Sequence, residues 1–164
     1  MNLIVAVSND FAIGRDNNLL FNLPSDLKYF KEKTLNKVVV MGERTYMSLP
    51  KRPLKNRINI VLSNNPQFVA EGSTIVHSLD ELFMELKKYD SSDVFICGGA
   101  SVYNLLMDYC TYAYVTKVDQ IVPADTYINN IDKKPNWKLV SQSETFEEND
   151  LKFKFCLYKN FQVK

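Results

Sequence analysis

The sequence predicts a single α/β domain with a mostly parallel central sheet, flanking helices and a C-terminal antiparallel hairpin. Three observations predict this class. Short apolar runs rich in β-branched residues alternate with segments of helical spacing, as in parallel sheets. The C-terminal part alternates apolar and polar residues without a helical pattern, as antiparallel strands do. The length of 164 residues suits one domain, which we expect to span 1–164.

The first expected elements are a buried strand, a loop and a helix. Residues 3–7 form a continuous apolar run, which indicates a buried strand. Residues 9–23 are polar and contain a glycine and consecutive turn-forming residues, so we expect a loop. A proline then suits the first position of a helix over 24–34. Within it, Leu27 and Phe30 fall at helical spacing and are expected to face the core.

The alternation continues through the middle of the chain. Apolar runs predict strands at 38–41, 58–62 and 73–76. A short helix is expected over 43–49, before two prolines interrupt the chain. The segment 78–88 is amphipathic, with acidic residues in its first turn and lysines in its last. This pattern predicts a helix that suits the helix dipole.

The remaining elements complete the sheet. Residues 93–97 predict a further strand, after which two glycines turn the chain into a helix near 100–107. Residues 112–118 predict the sixth strand of the main set. The segments 137–145 and 152–159 alternate more strictly, and they predict an antiparallel hairpin.

The charge balance and the cysteines argue against several classes of protein. Lys plus Arg number 20 and Asp plus Glu 19, for a net charge of +1. This argues against nucleic acid as the main partner, because phosphate binding needs a clear cationic excess. The three cysteines include no Cys-x-x-Cys pair, so neither a disulfide framework nor a zinc site is expected. We therefore expect no metal and a reducing compartment.

The N-terminal segment does not have the pattern of a signal peptide. Its apolar run has no basic residues before it and meets polar residues early. No apolar run approaches the length that spans a membrane. We expect a cytoplasmic protein with no membrane partner.

Asp26 is the first candidate for chemistry. In a helix that begins at Pro24 it lies in the first turn, one turn before Phe30 on the same face. One interpretation is an acid that interacts with the helix dipole, the commoner role for an arbitrary Asp at this position. The other is a buried site carboxylate with a perturbed pKa, which the glycine-containing loop leading into the helix favours. The residues alone leave both open.

Three strand ends carry candidate anion sites. Gly98 and Gly99 lie between a strand and a helix, where backbone N–H groups can hold phosphate, although an ordinary tight turn has the same pattern. The segment 42–45 is similar and places an arginine in a helical first turn. The segment 51–57 holds four cations and is either a solvated basic loop or an anion clamp. Arg57 is then best placed to bind a carboxylate.

Two further residues have less specific patterns. His77 is the only histidine, at a strand end before a helix, where a structural or solvated role is more usual than a catalytic one. Thr116 is most simply a β-branched strand residue.

Three motifs occur in a specific order: Asn-Leu-Pro-x-Asp-Leu at 22–27, Met-Gly-x-x-Thr at 41–45 and Gly-Gly-x-x-x-Tyr at 98–103. Further matching residues surround them: Ile4, Val5, Ala6, Ile13, Gly14, Phe30, Lys31, Arg52, Pro53, Leu54, Arg57, Thr116, Asp125 and Thr126. With these residues in this order, the sequence resembles bacterial dihydrofolate reductase along nearly its whole length. The resemblance implies that fold for the chain.

The resemblance also implies an activity: NADPH-dependent reduction of 7,8-dihydrofolate to 5,6,7,8-tetrahydrofolate, in support of one-carbon metabolism. NADPH would be the cofactor, dihydrofolate and folate-like inhibitors the ligands, and a monomer the expected state. The implied catalytic residues are Asp26, Phe21 and Thr116, with Asp26 binding the pterin and Thr116 hydrogen-bonded behind it. The implied substrate-binding residues also include Ile4, Val5, Leu27, Phe30, Leu49, Arg52, Leu54, Arg57 and Cys97.

Within this set, the resemblance implies carbonyl contacts from Ile4 and Cys97 to the pterin edge. Arg57 would bind the glutamate α-carboxylate.

The cofactor-binding residues follow from the same resemblance. Residues 12–18 would be a mobile lid over the nicotinamide, and a cis peptide bond between Gly98 and Gly99 would lie at the pyrophosphate. The 2′-phosphate end would meet Arg44, Thr45, Ser63 and Asn64, with His77 near the adenine. The full implied set is Ala6, Ile13, Gly14, Asn17, Asn18, Leu19, Gly42, Arg44, Thr45, Leu62, Ser63, Asn64, His77, Cys97, Gly98, Gly99, Ala100, Ser101, Val102, Tyr103 and Thr126.

The chain departs from the family pattern at several positions. Phe21 replaces the usual Trp at the end of the lid, which removes an indole N–H donor, and Leu20 replaces a Pro. Glu43 stands where an Arg is common, and Ser101 replaces another frequent cation. These changes predict weaker discrimination of NADPH from NADH. Cys97 replaces an Ile or Val, but the implied contact there is a carbonyl.

Two alternative functions compete with this one. A reductase of the same fold acting on a riboflavin-pathway pyrimidine lacks support, because Asp26, Thr116 and Arg57 together suit a pterin with a glutamate tail. A catalytically inactive folate or nucleotide binder is disfavoured by the intact Asp26. Phe21 and Glu43 keep that second alternative open.

Overall fold

A computed structural model describes residues 1–164. The strands are β1 (Asn2–Val7), β2 (Ala12–Arg15), β3 (Asn18–Leu19), β4 (Val38–Gly42), β5 (Ile58–Leu62), β6 (Thr74–Val76), β7 (Val94–Gly98), β8 (Tyr112–Val118), β9 (Thr126–Tyr127), β10 (Trp137–Gln142), β11 (Phe146–Glu148) and β12 (Leu151–Asn160). The α-helices are α1 (Pro24–Thr34), α2 (Glu43–Ser48), α3 (Leu79–Leu86) and α4 (Ala100–Leu106). Short 3₁₀ turns lie at Ser91–Asp93, Met107–Tyr109 and Ile131–Lys133.

One large sheet organises the chain, in the order β10-β12-β8-β1-β7-β4-β5-β6, with β11 pairing β12. All neighbours from β8 to β6 are parallel. Only β12 pairs antiparallel, with β8, β10 and β11. The predicted α/β class with a C-terminal antiparallel element is confirmed. Because parallel strands share an orientation, the carboxyl ends of β1, β4, β5, β7 and β8 meet at one edge of the sheet.

Both faces of the sheet are covered, as a parallel sheet requires. On β4, Val38 and Val40 belong to the larger core cluster, into which Leu82 of α3 and Leu106 of α4 also pack. The intervening Val39 and Met41 belong to a second cluster on the other face. This strict alternation follows from the period of two along a strand, and it explains why the strand is a continuous apolar run.

The helix predicted over 78–88 is observed as α3, which is shorter at both ends. Its first helical residue is Leu79, because Ser78 is the N-cap and its Oγ accepts the Glu81 N–H at 3.1 Å. It ends at Leu86, and the two following lysines lie outside the helix. The other predicted helices and main strands also lie within a few residues of their expected positions.

The expectation that Leu27 and Phe30 face the core is wrong for Leu27, which is 54% exposed. Phe30 is half-buried. Contact with the sheet comes instead from Tyr29, whose ring stacks on that of Phe155 at 4.1 Å between centroids. Helical spacing identified an apolar face on α1, but part of that face is left open beside the sheet.

The prediction of a loop over the polar segment 9–23 is wrong in part. The segment contains β2 and β3, which form a second, three-stranded sheet with β9. Gly14 pairs with Leu19 on one side and with Thr126 on the other. These strands have two to four residues, too few to show a period in the sequence. The long-range pairing with β9 is what makes them strands.

Candidate active site

Asp26 and Thr116 form the centre of the candidate site. Thr116 is buried on β8, and its Oγ1 donates a hydrogen bond to Asp26 Oδ1 at 2.6 Å. Burial raises the pKa of the Asp26 carboxyl above its ordinary value, and the hydrogen bond from Thr116 lowers it in part. Asp26 also lies in the first turn of α1. The geometry therefore favours the site-carboxylate interpretation, while the helix position agrees with the other.

Strand β1 runs beside this pair. Ala6 lies opposite Thr116 in the parallel register. Two residues earlier, the Ile4 carbonyl accepts a hydrogen bond from the Tyr103 hydroxyl at 2.7 Å, which ties α4 to β1. Val5 points to the other face of the strand, where its side chain packs in the main core. The resemblance implies that Val5 contacts the substrate, but its side chain points away from Asp26.

Two glycines at the carboxyl end of β7 leave room for a ligand backbone contact. The Gly98–Gly99 peptide bond is cis, as the resemblance implied, and Gly98 has a φ of 129°, which only glycine adopts readily. A Cβ on Gly99 would lie 3.1 Å from Thr45 Oγ1. Thr45 comes from α2, after β4, so the second and third sequence motifs meet here. Glycine at this position therefore lets Thr45 pack directly against the backbone at the end of β7.

The ends of β5 and β6 add a polar cluster to the same edge. Ser63 Oγ donates to Glu43 Oε2 at 3.2 Å, and the Ser63 carbonyl lies 2.8 Å from His77 Nδ1. The His77 backbone N–H donates to Glu81 at 2.6 Å. Arg44 is exposed beside Glu43 on α2. The carboxylate of Glu43 therefore contacts Ser63, one of the residues to which the resemblance assigns the 2′-phosphate end.

Arg57 lies between α1 and the basic loop. Its Nη1 donates to Thr34 Oγ1 at 3.2 Å and its Nε to the Lys55 carbonyl at 2.9 Å. Burial lowers the pKa of Arg57 from its ordinary value, although guanidinium stays charged at any physiological pH. Asn59 shapes the loop, since its side chain donates to the Leu54 carbonyl and accepts from the Leu54 N–H. The guanidinium is thus held in place before any ligand arrives.

The remaining implied substrate residues fall into two groups. Leu49, Leu54 and Cys97 are partly buried against the second core cluster, so they lie on one side of the sheet. Burial raises the pKa of the Cys97 thiol, which is therefore neutral. Arg52 is exposed and donates to the Met47 carbonyl at 2.9 Å.

The segment predicted as a lid is a hairpin tied to a neighbouring loop. The Asp16 N–H donates to Asp125 Oδ2 at 2.9 Å, and the Asp125 N–H donates to the Gly14 carbonyl at 3.1 Å. Leu19 on the same hairpin is 73% exposed. Phe21 follows the hairpin and packs against the cluster formed by Leu23, Val118 and Phe153.

One contact of the site had no signal in the sequence. Ser25, next to Asp26, donates its N–H and its hydroxyl to the carboxylate of Glu148, at 3.0 and 2.6 Å. The two residues are 123 positions apart, and no local pattern connects them.

No group of three or more His, Cys, Asp or Glu side chains comes together anywhere in the structure. None of its helices has the length and hydropathy needed to cross a membrane.

Comparisons with known proteins agree with this geometry. A family model described as dihydrofolate reductase matches residues 1–160. A dihydrofolate reductase of Bacillus subtilis is 35% identical over 97% of this chain and 94% of its own length. A type 9 dihydrofolate reductase of Escherichia coli is 34% identical over 98% of this chain and 93% of its own. The dihydrofolate reductase of Enterococcus faecalis, solved with NADP(H) and RAB-propyl, is 31% identical with a TM-score of 0.87, covering 97% of this chain and 95% of that one.

The raised pKa of Asp26 predicts a pH-dependent gain in stability for Asp26→Asn. A folded-state pKa above the ordinary 3.8 means that Asp26 contributes stability at low pH, and that this contribution is lost as pH rises through the folded-state pKa. The amide still accepts a hydrogen bond from Thr116 and carries no charge to desolvate. Asp26→Asn should therefore unfold at higher urea than the wild type at pH 7, with the difference shrinking as pH falls through the raised folded-state pKa and absent below the ordinary value of 3.8. A variant less stable than the wild type at pH 7 would contradict this.

Proposed function

The chain belongs to the dihydrofolate reductase family, and we propose that Asp26, Thr116 and the paired glycines are the parts with which it binds its substrate and cofactor. It catalyses the NADPH-dependent reduction of 7,8-dihydrofolate to 5,6,7,8-tetrahydrofolate. The observation that carries the assignment of residues is the hydrogen bond between Thr116 and Asp26. It occupies one acceptor position of Oδ1 and leaves the remaining acceptor positions of the carboxylate for a ligand.

Asp26 binds and polarises the pterin. Its carboxylate accepts hydrogen bonds from the 2-amino group and N3, two adjacent donors that match a carboxylate. The reaction adds a hydride to C6 and a proton to N5, and the bound nicotinamide supplies the hydride. The negative charge of Asp26 favours the protonated ring, so the residue promotes protonation without touching N5. A water admitted at the 12–18 lid delivers the proton.

The edge formed by β4, β5, β6 and β7 binds the cofactor. The backbone at Gly98 and Gly99 contacts the pyrophosphate, because neither residue has a side chain that covers its peptide groups. The polar cluster at Ser63 and His77 takes the adenosine end. The Enterococcus faecalis relative is complexed with NADP(H), which supports the same cofactor for this chain.

The other site residues complete the substrate slot. Leu27, Phe30, Leu49 and Leu54 contact the pterin and benzoyl groups, and the exposure of Leu27 gives it a surface to cover. Arg57 binds the α-carboxylate of the glutamate tail, and folate-like inhibitors occupy the same slot.

We further propose one reductase domain over 1–164, acting as a cytoplasmic monomer. The family match to residues 1–160 supports the single domain. All three cysteines are free thiols, which suits a reducing compartment.

The direct test follows the loss of NADPH absorbance with dihydrofolate, first for the wild type and then for Asp26→Asn. We expect Asp26→Asn to lower turnover about 100-fold or more at neutral pH, because the field that favours the protonated pterin is lost. The loss should shrink in acid, where the substrate is already protonated, and NADPH affinity should not change. Turnover at the wild-type rate would remove the role given to Asp26. An inactive wild type would instead support the binder alternative.

Arg57→Ala tests the carboxylate clamp. Loss of a charge-assisted hydrogen-bonded pair should weaken dihydrofolate binding roughly 10- to 100-fold. Binding of a pteridine without the glutamate tail should be nearly unchanged, because that ligand does not reach Arg57. Lys55→Ala, an exposed cation in the same loop, is the matched control for net charge. Equal losses for both ligands would exclude Arg57 from the clamp.

Glu43→Gln tests discrimination between the two cofactors. Removing a negative charge near the 2′-phosphate should tighten NADPH binding about 5-fold and leave NADH binding nearly unchanged. The amide still accepts the hydrogen bond from Ser63, so the local geometry is kept. Both dissociation constants are measured by titration without substrate. Glu144→Gln, an exposed carboxylate after β10, controls for the change in net charge. An equal gain for both cofactors would place Glu43 away from the phosphate.

A further inference from the structure

The first turn of α1 is capped by a residue from the other end of the chain. A helix start leaves backbone N–H groups without partners inside the helix. At the N-cap position of α1 lies Leu23, which has no side-chain oxygen to accept them. The carboxylate of Glu148 takes this part: Oε1 accepts the Ser25 N–H at 3.0 Å and Oε2 accepts the Ser25 hydroxyl at 2.6 Å.

A third hydrogen bond joins the same two segments. The Asn149 side chain donates to the Asn22 carbonyl at 2.9 Å. Asn149 and Asp150 form the tight turn between β11 and β12, with φ values of 52° and 62°. The contacts of Glu148 with Ser25 and of Asn149 with Asn22 therefore lie on either side of Leu23 and Pro24. A pair of contacts that brackets a helix start restrains both its position and its direction.

The two residues that position Asp26, Thr116 and Glu148, both lie on strands that pair with β12. This strand begins at Leu151, just after the turn, and Phe155 farther along it pairs with Thr116. Thr116 holds the Asp26 carboxylate directly, whereas Glu148 holds the adjacent Ser25. Thr116 on β8 and Glu148 at the end of β11 therefore contact α1 from two strands that both pair with β12. Since the Ser25 hydrogen bonds lower the pKa of Glu148, its carboxylate stays ionised at neutral pH.

We propose that Glu148 is a positioning residue for the reaction: by capping the first turn of α1 it keeps the Asp26 carboxylate against Thr116, in place for the pterin. This inference rests on the role proposed above for Asp26. Glu148 itself touches neither ligand. Its contribution passes through Ser25 to the neighbouring residue, so it should disappear when Asp26 is no longer a carboxylate.

The test is a double-mutant cycle between Glu148→Ala and Asp26→Asn, with kcat and the NADPH dissociation constant measured for each protein. We expect Glu148→Ala to lower kcat roughly 3- to 10-fold in the wild-type background, because a small displacement of a catalytic group is costly. In the Asp26→Asn background it should cause no further loss. NADPH affinity should be unchanged in both. Glu147→Ala is the matched control and should behave as the parent protein, because Glu147 precedes Glu148 on β11, is exposed and pairs with β12 through its backbone.

A loss that is equal in both backgrounds would show a general structural effect and overturn the proposal, as would wild-type kcat in Glu148→Ala. Amide hydrogen exchange supplies a readout that does not depend on turnover. Exchange at Ser25 should accelerate in Glu148→Ala and not in Glu147→Ala, and unchanged protection would overturn the cap itself. Failure of the wild type to reduce dihydrofolate would instead count against the proposed function and leave the exchange result to decide on the cap.

Discussion

The rest of the site depends on the burial of one carboxylate. Asp26 lies where water is partly excluded, so its charged form is penalised and needs donors. The Thr116 hydroxyl on strand β8 donates one hydrogen bond to it at 2.6 Å, and the pKa of the Asp26 carboxyl still remains above its ordinary value. In the role proposed for Asp26, a ligand with two adjacent donors would relieve the penalty that remains. A buried carboxylate of this kind costs folding free energy, which is common for residues kept at a functional site.

The parallel sheet provides the second constraint. Its strands end at one edge, so loops that are far apart in the chain meet there without any direct pairing between them. Gly42 ends β4 and Thr45 lies in the helix after it, whereas Gly98 ends β7 and Gly99 follows. The close approach of Thr45 to Gly99 joins the two motifs. The antiparallel strand β12 pairs with β8, which carries Thr116, and with β11, which ends at Glu148.

Prediction from the sequence succeeded where a pattern is local. Buried strands such as β4 are continuous apolar runs because both of their faces are covered, and α3 has its acidic start and apolar face within one short segment. It failed where structure depends on distant pairing. The strands β2, β3 and β9 are too short to show a period, and only their mutual hydrogen bonds define them. Leu27 has helical spacing but is exposed, because spacing identifies an apolar face and not what covers it.

The sequence by itself determined the α/β class, the order of the main elements and the candidates Asp26, Arg57, Gly98 and Gly99, because each has a local pattern or a motif in order. Only the tertiary structure decided which of these residues meet. Asp26 was open between two interpretations until Thr116, 90 residues away, was placed against it. Glu148 had no pattern at all, since its effect depends on a contact across 123 residues that chain spacing does not encode. Pairing between distant residues is set by the packing of whole elements, and that packing is a property of the fold rather than of any segment.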